Sequence, residues 1–267
     1  MSKLRRPAVA GLFYPAEAAE LRGTVAGYLE QARERAPGPQ DAERPRALIA
    51  PHAGYVYSGP IAASAFVRLE PFGEQIRRVL LLGPSHFVPL RGLATAGVEA
   101  FSTPLGDVAV DQPAETRLSA LAQVIVKEAA HAREHSLEVE LPFLQTVLGS
   151  FELVALVTGE VEDEEVAEVI DELADDGDTL VVVSSDLSHY HDYDTARGLD
   201  GATASAIEEL RPDRLGEGSA CGRAGIRGLL VAAHRWGLSA RAVDLRNSGD
   251  TAGPRAEVVG YGAFVFF

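Results

Sequence analysis

Three runs of the chain are apolar at every position, and each ends against residues that can do chemistry. Ala47 to Ala50 runs into Pro51-His52-Ala53-Gly54-Tyr55, Val79 to Leu82 into Gly83-Pro84-Ser85-His86, and Leu180 to Val183 into Ser184-Ser185-Asp186. A strand that is apolar on both sides must be covered on both faces, as in the interior of a parallel sheet. Elsewhere the apolar spacing changes to three and four. Ala18, Leu21, Val25, Tyr28, Leu29 and Ala32 mark an amphipathic helix. Val166, Val169, Ile170 and Leu173 mark another, with an acidic first turn of the kind a helix dipole favours. Leu137, Leu141, Leu144 and Leu148 stripe the segment from Ser136, where Pro142 must sit in the first turn or kink the helix. Further helices are predicted near Pro60 to Arg68, Pro113 to Leu121, Ala196 to Leu210 and Gly222 to Trp236. Further strands are predicted at Phe151 to Val157, Val243 to Leu245 and Val258 to Phe266, with short strands and turns between Gly92 and Val110. Ala36-Pro-Gly-Pro-Gln-Asp41 reads as a polar connector.

Strands that alternate with helices predict an α/β fold: one domain over residues 1–267, a three-layer sandwich with a central, mostly parallel sheet. No internal repeat or domain boundary interrupts the pattern. In an open sheet of this kind, ligands bind beyond the carboxyl ends of the strands. His52, His86, Asp186 and the nearby His189 are therefore expected at one edge, although they are far apart in sequence.

Composition narrows the function. With 267 residues, 46% of them hydrophobic, the chain can bury a sizeable core. Its 24 basic and 39 acidic residues give a formal charge of −15. That balance argues against a nucleic-acid surface and against a polybasic membrane contact. Cys221 is the single cysteine, so no intramolecular disulfide can form. The charged start, Met1 to Pro7, has no apolar run behind it, and no stretch approaches the roughly 20 apolar residues of a membrane helix. The expected location is the cytoplasm.

A lone histidine is usually a hydrogen-bonded structural residue. What singles out His52 and His86 is their position directly after buried strands and beside Pro or Gly, where the backbone can turn sharply. Cys221 precedes the apolar stripe Ile226, Leu229, Leu230 and Ala233, and a thiol at a helix N-terminus, with Arg223 nearby, is expected to be reactive and low in pKa. Asp186 and His189 are three apart, close enough for the carboxylate to orient the imidazole; Asp186 could equally cap the following turn. His131-Ala-Arg-Glu134-His135 matches the inverted zincin pattern, which makes a zinc peptidase built on His131 and His135 the rival reading, though His131 also reads as a solvated helix residue. No phosphate-binding loop, dinucleotide fingerprint or nucleophile elbow stands in proper context.

Several motifs carry a family resemblance. Ala10-Gly-Leu-Phe-Tyr-Pro15, Pro51-His-Ala-Gly-Tyr-Val-Tyr-Ser-Gly59, Gly83-Pro-Ser-His86, Ser102-Thr-Pro-Leu-Gly106, Glu134-His-Ser-Leu-Glu-Val-Glu-Leu-Pro142, Ser184-Ser-Asp-Leu-Ser-His189 and Cys221-Gly-Arg223 run in order along nearly the whole chain. Together they resemble the Memo family, whose prokaryotic members are called AmmeMemoRadiSam system protein B. The resemblance implies a fold similar to class III extradiol dioxygenases, which hold non-haem iron. It implies His52, His86 and Cys221 as metal ligands, Asp186 and His189 beside the metal with His189 in the position of a catalytic histidine, and His135 in the same pocket. Tyr55 and Ser85, from the same motifs, are assigned to that pocket too. Iron(II) is the first expected metal, then copper or zinc. A thiolate in place of the usual carboxylate is softer and oxidisable, so ring cleavage itself is not implied. The expectation is redox or dioxygenase-like chemistry on a small molecule; the alternative is a metal-holding or peptide-binding module. Association with a radical-SAM protein and an AMMECR-type protein is also implied.

Overall fold

The computed structural model describes residues 3–35, 43–174 and 177–267. The connector expected at Ala36 to Asp41 lies outside the described residues. β1 (Leu4–Arg5), α1 (Ala18–Arg35), β2 (Ala47–Ala50) and α2 (Tyr55–Phe66) open the chain. After a 3-10 stretch, Val67–Gln75, come β3 (Arg78–Pro84), β4 (Leu93–Thr95), β5 (Ala100–Thr103), β6 (Gly106–Ala109), α3 (Gln112–Leu118), β7 (Val124–Val126) and α4 (Glu128–His131). A short 3-10 turn, Glu138–Glu140, leads into α5 (Leu141–Leu148), β8 (Glu152–Thr158), α6 (Asp163–Ala174) and β9 (Thr179–Ser184). The chain closes with β10 (His189–His191), α7 (Tyr193–Glu208), α8 (Arg223–Arg235), β11 (Ala240–Asn247) and β12 (Val258–Phe266).

Among the described residues the main sheet has nine strands in the order β10-β12-β2-β9-β3-β8-β4-β7, with β11 also on β12. Its centre, β2-β9-β3-β8, is parallel throughout. The margins are not: β12 runs antiparallel to β2, β10 and β11, and β4 runs antiparallel to β8. The expected mostly parallel sheet is therefore a parallel centre inside a mixed sheet. Buried apolar runs record that a strand is covered on both faces, and they carry no mark of its direction. A second, three-stranded sheet joins β1, β5 and β6.

Successive residues of the central strands feed two separate cores. Leu48, Val79, Leu81, Leu180 and Val182 face a core shared with α1, α2 and α5. Ile49, Leu80, Leu82, Val181 and Val183 face another shared with α6, α7 and α8. Helices, sheet and helices make three layers, and each fully buried Leu or Val contributes about 1.5–3 kcal/mol of burial. The helix expected from Pro60 starts earlier, at Tyr55, so Pro60 lies inside it. Packing outweighs the missing amide: Tyr55, Ser58, Gly59, Ala62 and Phe66 are all buried on this helix, and Tyr55 N–H is tied to Phe13 O at 2.7 Å.

In register, Ala50 pairs with Ser184, Leu82 with Val183, and Pro84 with Thr158. The strands end level, which brings the residues after β2, β3 and β9 to one edge of the sheet.

Candidate metal centre

His52 leaves β2 in a turn braced by a buried acid. Its backbone N–H donates to Asp186 Oδ1 at 2.8 Å, its Nδ1 lies 2.8 Å from Ser184 Oγ, and its Nε2 is 3.3 Å from Cys221 Sγ. His86 leaves β3 and is held twice by one carboxylate: its N–H donates to Glu134 Oε2 at 2.7 Å and its Nδ1 lies 2.8 Å from Glu134 Oε1. The same Glu134 Oε1 accepts the N–H groups of His135 and Ser136, both at 2.9 Å. The His135 ring stacks on His86 with centroids 4.7 Å apart and packs against Phe13 at 4.8 Å. One ring nitrogen from each of His52, His86 and His135 lies within 4.8 Å of the others.

The electrostatics favour the neutral ring at His52 and His135. Burial, followed by the neighbouring His86 and His135, holds His52 well below its usual value, and burial likewise lowers His135. Burial would raise Glu134, but its bonds to His86 and to the Ser136 amide outweigh that and hold it at about 2. Asp186 goes the other way: burial pushes it up to about 7 despite the His52 and Ala53 amides that it accepts.

Cys221 departs from its expected character. The helix begins at Arg223 and Gly222 is its cap, so the thiol sits before the helix instead of on its first turn. Burial, then the Asp186 carboxyl, push it up to about 12. Its loop presses against the end of β9, where a Cβ on Gly222 would stand 2.7 Å from Ser184 O. Free of metal, this is a protonated thiol beside His52 Nε2.

The residues enclose a cavity of about 740 Å³, lined by His52, His86, His135, Asp186, His189 and Cys221 and walled by Phe13, Tyr57, Tyr190 and Tyr261. His189 Nδ1 lies 2.8 Å from Leu187 O, so backbone orients this ring, while Asp186 is engaged with the His52 turn. Tyr190 follows with φ 61, a left-handed conformation that costs a bulky residue about 1–3 kcal/mol. Two expected pocket residues lie elsewhere. Tyr55 is in the core with its hydroxyl donating to Val139 O at 2.8 Å, and Ser85 lines a neighbouring cavity and donates to Val88 O at 2.7 Å.

The inverted zincin reading fails on geometry. His131 is buried, not solvated, and its Nε2 lies 2.8 Å from Ala94 O, away from the cavity. Glu134 supports His86 and is not free to act on a substrate. Sequence reasoning missed Glu134 and Ser184 as supports, although both stand inside quoted motifs.

The donor set fits a first-row metal. Two imidazoles have Nδ1 occupied, which leaves Nε2 for a ligand, and the carboxylate–histidine pair at Glu134 and His86 is the outer-shell device that orients metal-binding histidines. Imidazole suits iron, copper and zinc alike.

A three-layer α/β fold with an imidazole cluster at the carboxyl edge of its parallel centre defines a candidate metal-binding protein. A family model described as Memo-like protein matches residues 5–265. A MEMO1 family protein of Methanopyrus kandleri is 37% identical, with 98% of each chain covered. One of Thermotoga maritima is 35% identical over 98% of this chain and 99% of its own, and one of Nitrosopumilus maritimus 30% identical over the same shares. The chain belongs to the Memo family. No helix among the described residues is long and apolar enough to cross a membrane.

Proposed function

We propose that this chain is a metal-dependent protein of redox character, holding a single non-haem iron on His52, His86 and Cys221 and acting on a small molecule in the cavity. The observation that carries the reading is the convergence of His52 and His86 with both Nδ1 atoms already engaged. Cys221 is chosen as third donor over His135 because it lies 3.3 Å from His52 Nε2 and supplies negative charge once a cation displaces its proton. When bound, the metal supplies a redox-active Lewis acid.

The chain's own residues do the rest. His189 donates from Nδ1 to Leu187 O, so its Nε2 carries the lone pair, and burial keeps the ring neutral, in the form of a general base. Asp186 fixes the turn that carries His52. Phe13, Tyr57 and Tyr261 present an apolar wall that limits water and suits a planar or apolar substrate. A second reading, a peptide-binding module, draws support from the apolar rim, where Leu12 is 80% and Tyr190 74% exposed.

The test is metal analysis of anaerobically purified wild type, His86→Ala, Cys221→Ser, His135→Ala and His131→Ala, followed by oxygen consumption of the iron-loaded protein with reductants and catechols. The expected pattern is metal lost in His86→Ala and Cys221→Ser and kept in His131→Ala, with turnover lost in His189→Ala. Metal lost only in His131→Ala would refute the site. Loss in His135→Ala but not Cys221→Ser moves the third ligand to His135. Silence of the loaded wild type moves the weight to the binding module.

A further inference from the structure

Ser184 Oγ is fully buried at the end of β9 and has three polar neighbours. Ser136 O lies at 2.6 Å, and Glu140 Oε1 and His52 Nδ1 each at 2.8 Å. A hydroxyl has one hydrogen to give and two lone pairs to receive with. Ser136 O is a carbonyl and can only accept, so the hydroxyl hydrogen belongs to it; otherwise two bare oxygens face each other at 2.6 Å. The other two neighbours must then both donate. For His52 that means a proton on Nδ1, and for Glu140 it means a carboxylic acid.

The surroundings of Glu140 agree with this count. Its side chain is fully buried, and its second oxygen, Oε2, has no hydrogen-bond partner. The charge that bears on it is Asp186, of like sign, and no basic side chain is paired with it among the described residues. An ionised carboxylate with one bare oxygen would be costly here, whereas a neutral acid leaves a single carbonyl oxygen unmet. Burial raises the carboxyl well above its usual range, outweighing the opposing effect of the Ser184 contact, and Asp186 adds to the rise.

We infer that Glu140 is a positioning residue: a neutral carboxylic acid that donates to Ser184 and holds its oxygen against Ser136 O, which takes the hydroxyl hydrogen and so keeps it from His52. His52 is left with its proton on Nδ1 and its Nε2 lone pair facing the cavity. Glu134 grips His86 directly, and Glu140 acts on His52 at one remove through the serine. Both carboxyls come from the one short segment, 134–140.

The experiment starts with metal-free protein, so its main readings do not depend on the proposed function; a final metal-binding reading does. Infrared spectroscopy at neutral pH is expected to show a carboxylic acid carbonyl band that is absent in the isosteric Glu140→Gln. Nitrogen-15 NMR is expected to show His52 protonated on Nδ1 in wild type and in Glu140→Gln, whose amide can still donate to Ser184. In Glu140→Leu the Nε2-protonated form is expected to appear, because the serine side chain loses the donor that fixes its position and, once away from Ser136 O, its hydroxyl can turn to His52. A carboxyl that only fills space would alter stability in these variants and leave the tautomer alone. No acid band, or a tautomer unchanged in Glu140→Leu, overturns the inference. Where metal binds, Glu140→Leu is expected to weaken it about 10–100-fold, the usual effect of losing an outer-shell partner, and Glu140→Gln to retain it. If no variant or wild type binds metal, the proposed function fails while the spectroscopic result on Glu140 stands.

Discussion

Glu134 is the residue on which most of the site converges. Its Oε2 accepts the His86 amide, and its Oε1 meets the His86 ring nitrogen and accepts the amides of His135 and Ser136. An amide in its place keeps one accepting oxygen and turns a donor toward groups that themselves donate. Glu134→Gln is therefore expected to weaken metal binding about 10–100-fold with the fold intact, checked by competition with a chelator and by circular dichroism. His131 makes the opposite case, a histidine of the same motif whose work is structural. Burial holds it at about 4, with its Nε2 bonded to Ala94 O. A depressed imidazole must be neutral to stay folded, so its contribution is intact above its ordinary value near 6.5 and is lost as pH falls toward 4. Wild type is expected to lose up to about 3 kcal/mol more than His131→Gln over that fall, measured by urea unfolding at several pH values. The sequence could locate His52, His86 and Asp186 because a strand end is a place with a pattern. It could not rank His131 against Glu134 and His135, since a five-residue motif does not say which way each side chain turns.

The elements were legible wherever burial is periodic. β2 and the interiors of β3 and β9 are apolar at every position because helices cover both faces, and the stripe on α6 is buried at all four of its expected positions. Sheet direction at the margins was not legible, and neither was the start of α2, where Pro60 suggested a beginning and tertiary packing placed it at the sixth residue. Close approach of helices is another property that no periodicity reports. A Cβ on Gly228 of α8 would stand 2.3 Å from the Val166 Cβ of α6 and 3.2 Å from Asp163 O. Alanine gains about 1 kcal/mol of helix propensity over glycine, while overpacking costs about 1–3 kcal/mol, and at 2.3 Å the crowding wins. Gly228→Ala is expected to lower the urea midpoint with an unchanged slope. An increase in stability would mean that α6 and α8 can separate freely.

At the scale of the whole molecule, the start of the chain is fastened to the segment that carries the site. Arg5, on β1, pairs with Glu138 and donates to the carbonyls of His131 and Glu134, more than a hundred residues away. Both partners are almost fully buried, at 6% and 0% side-chain exposure. Glu138 also accepts the amides of Ala8 and Val9, at 2.7 and 3.0 Å, and the Tyr14 hydroxyl, so one carboxylate gathers the N-terminal stretch onto the turn before α5. A buried pair is weak grounds for stability as such, because desolvation offsets much of the attraction; breaking it is another matter, since the surviving charge stays buried without its partner. Arg5→Leu is expected to cost about 3–5 kcal/mol and to reduce metal occupancy, because the turn it secures carries Glu134 and His135. Adding Glu138→Gln removes the stranded charge while keeping an oxygen for the amides of Ala8 and Val9. The double variant is therefore expected to be more stable than Arg5→Leu alone, a sign that urea unfolding of the three proteins can read directly. If the two changes instead add, the damage comes from lost packing around β1, and the ion pair is not what ties the start of the chain to the site.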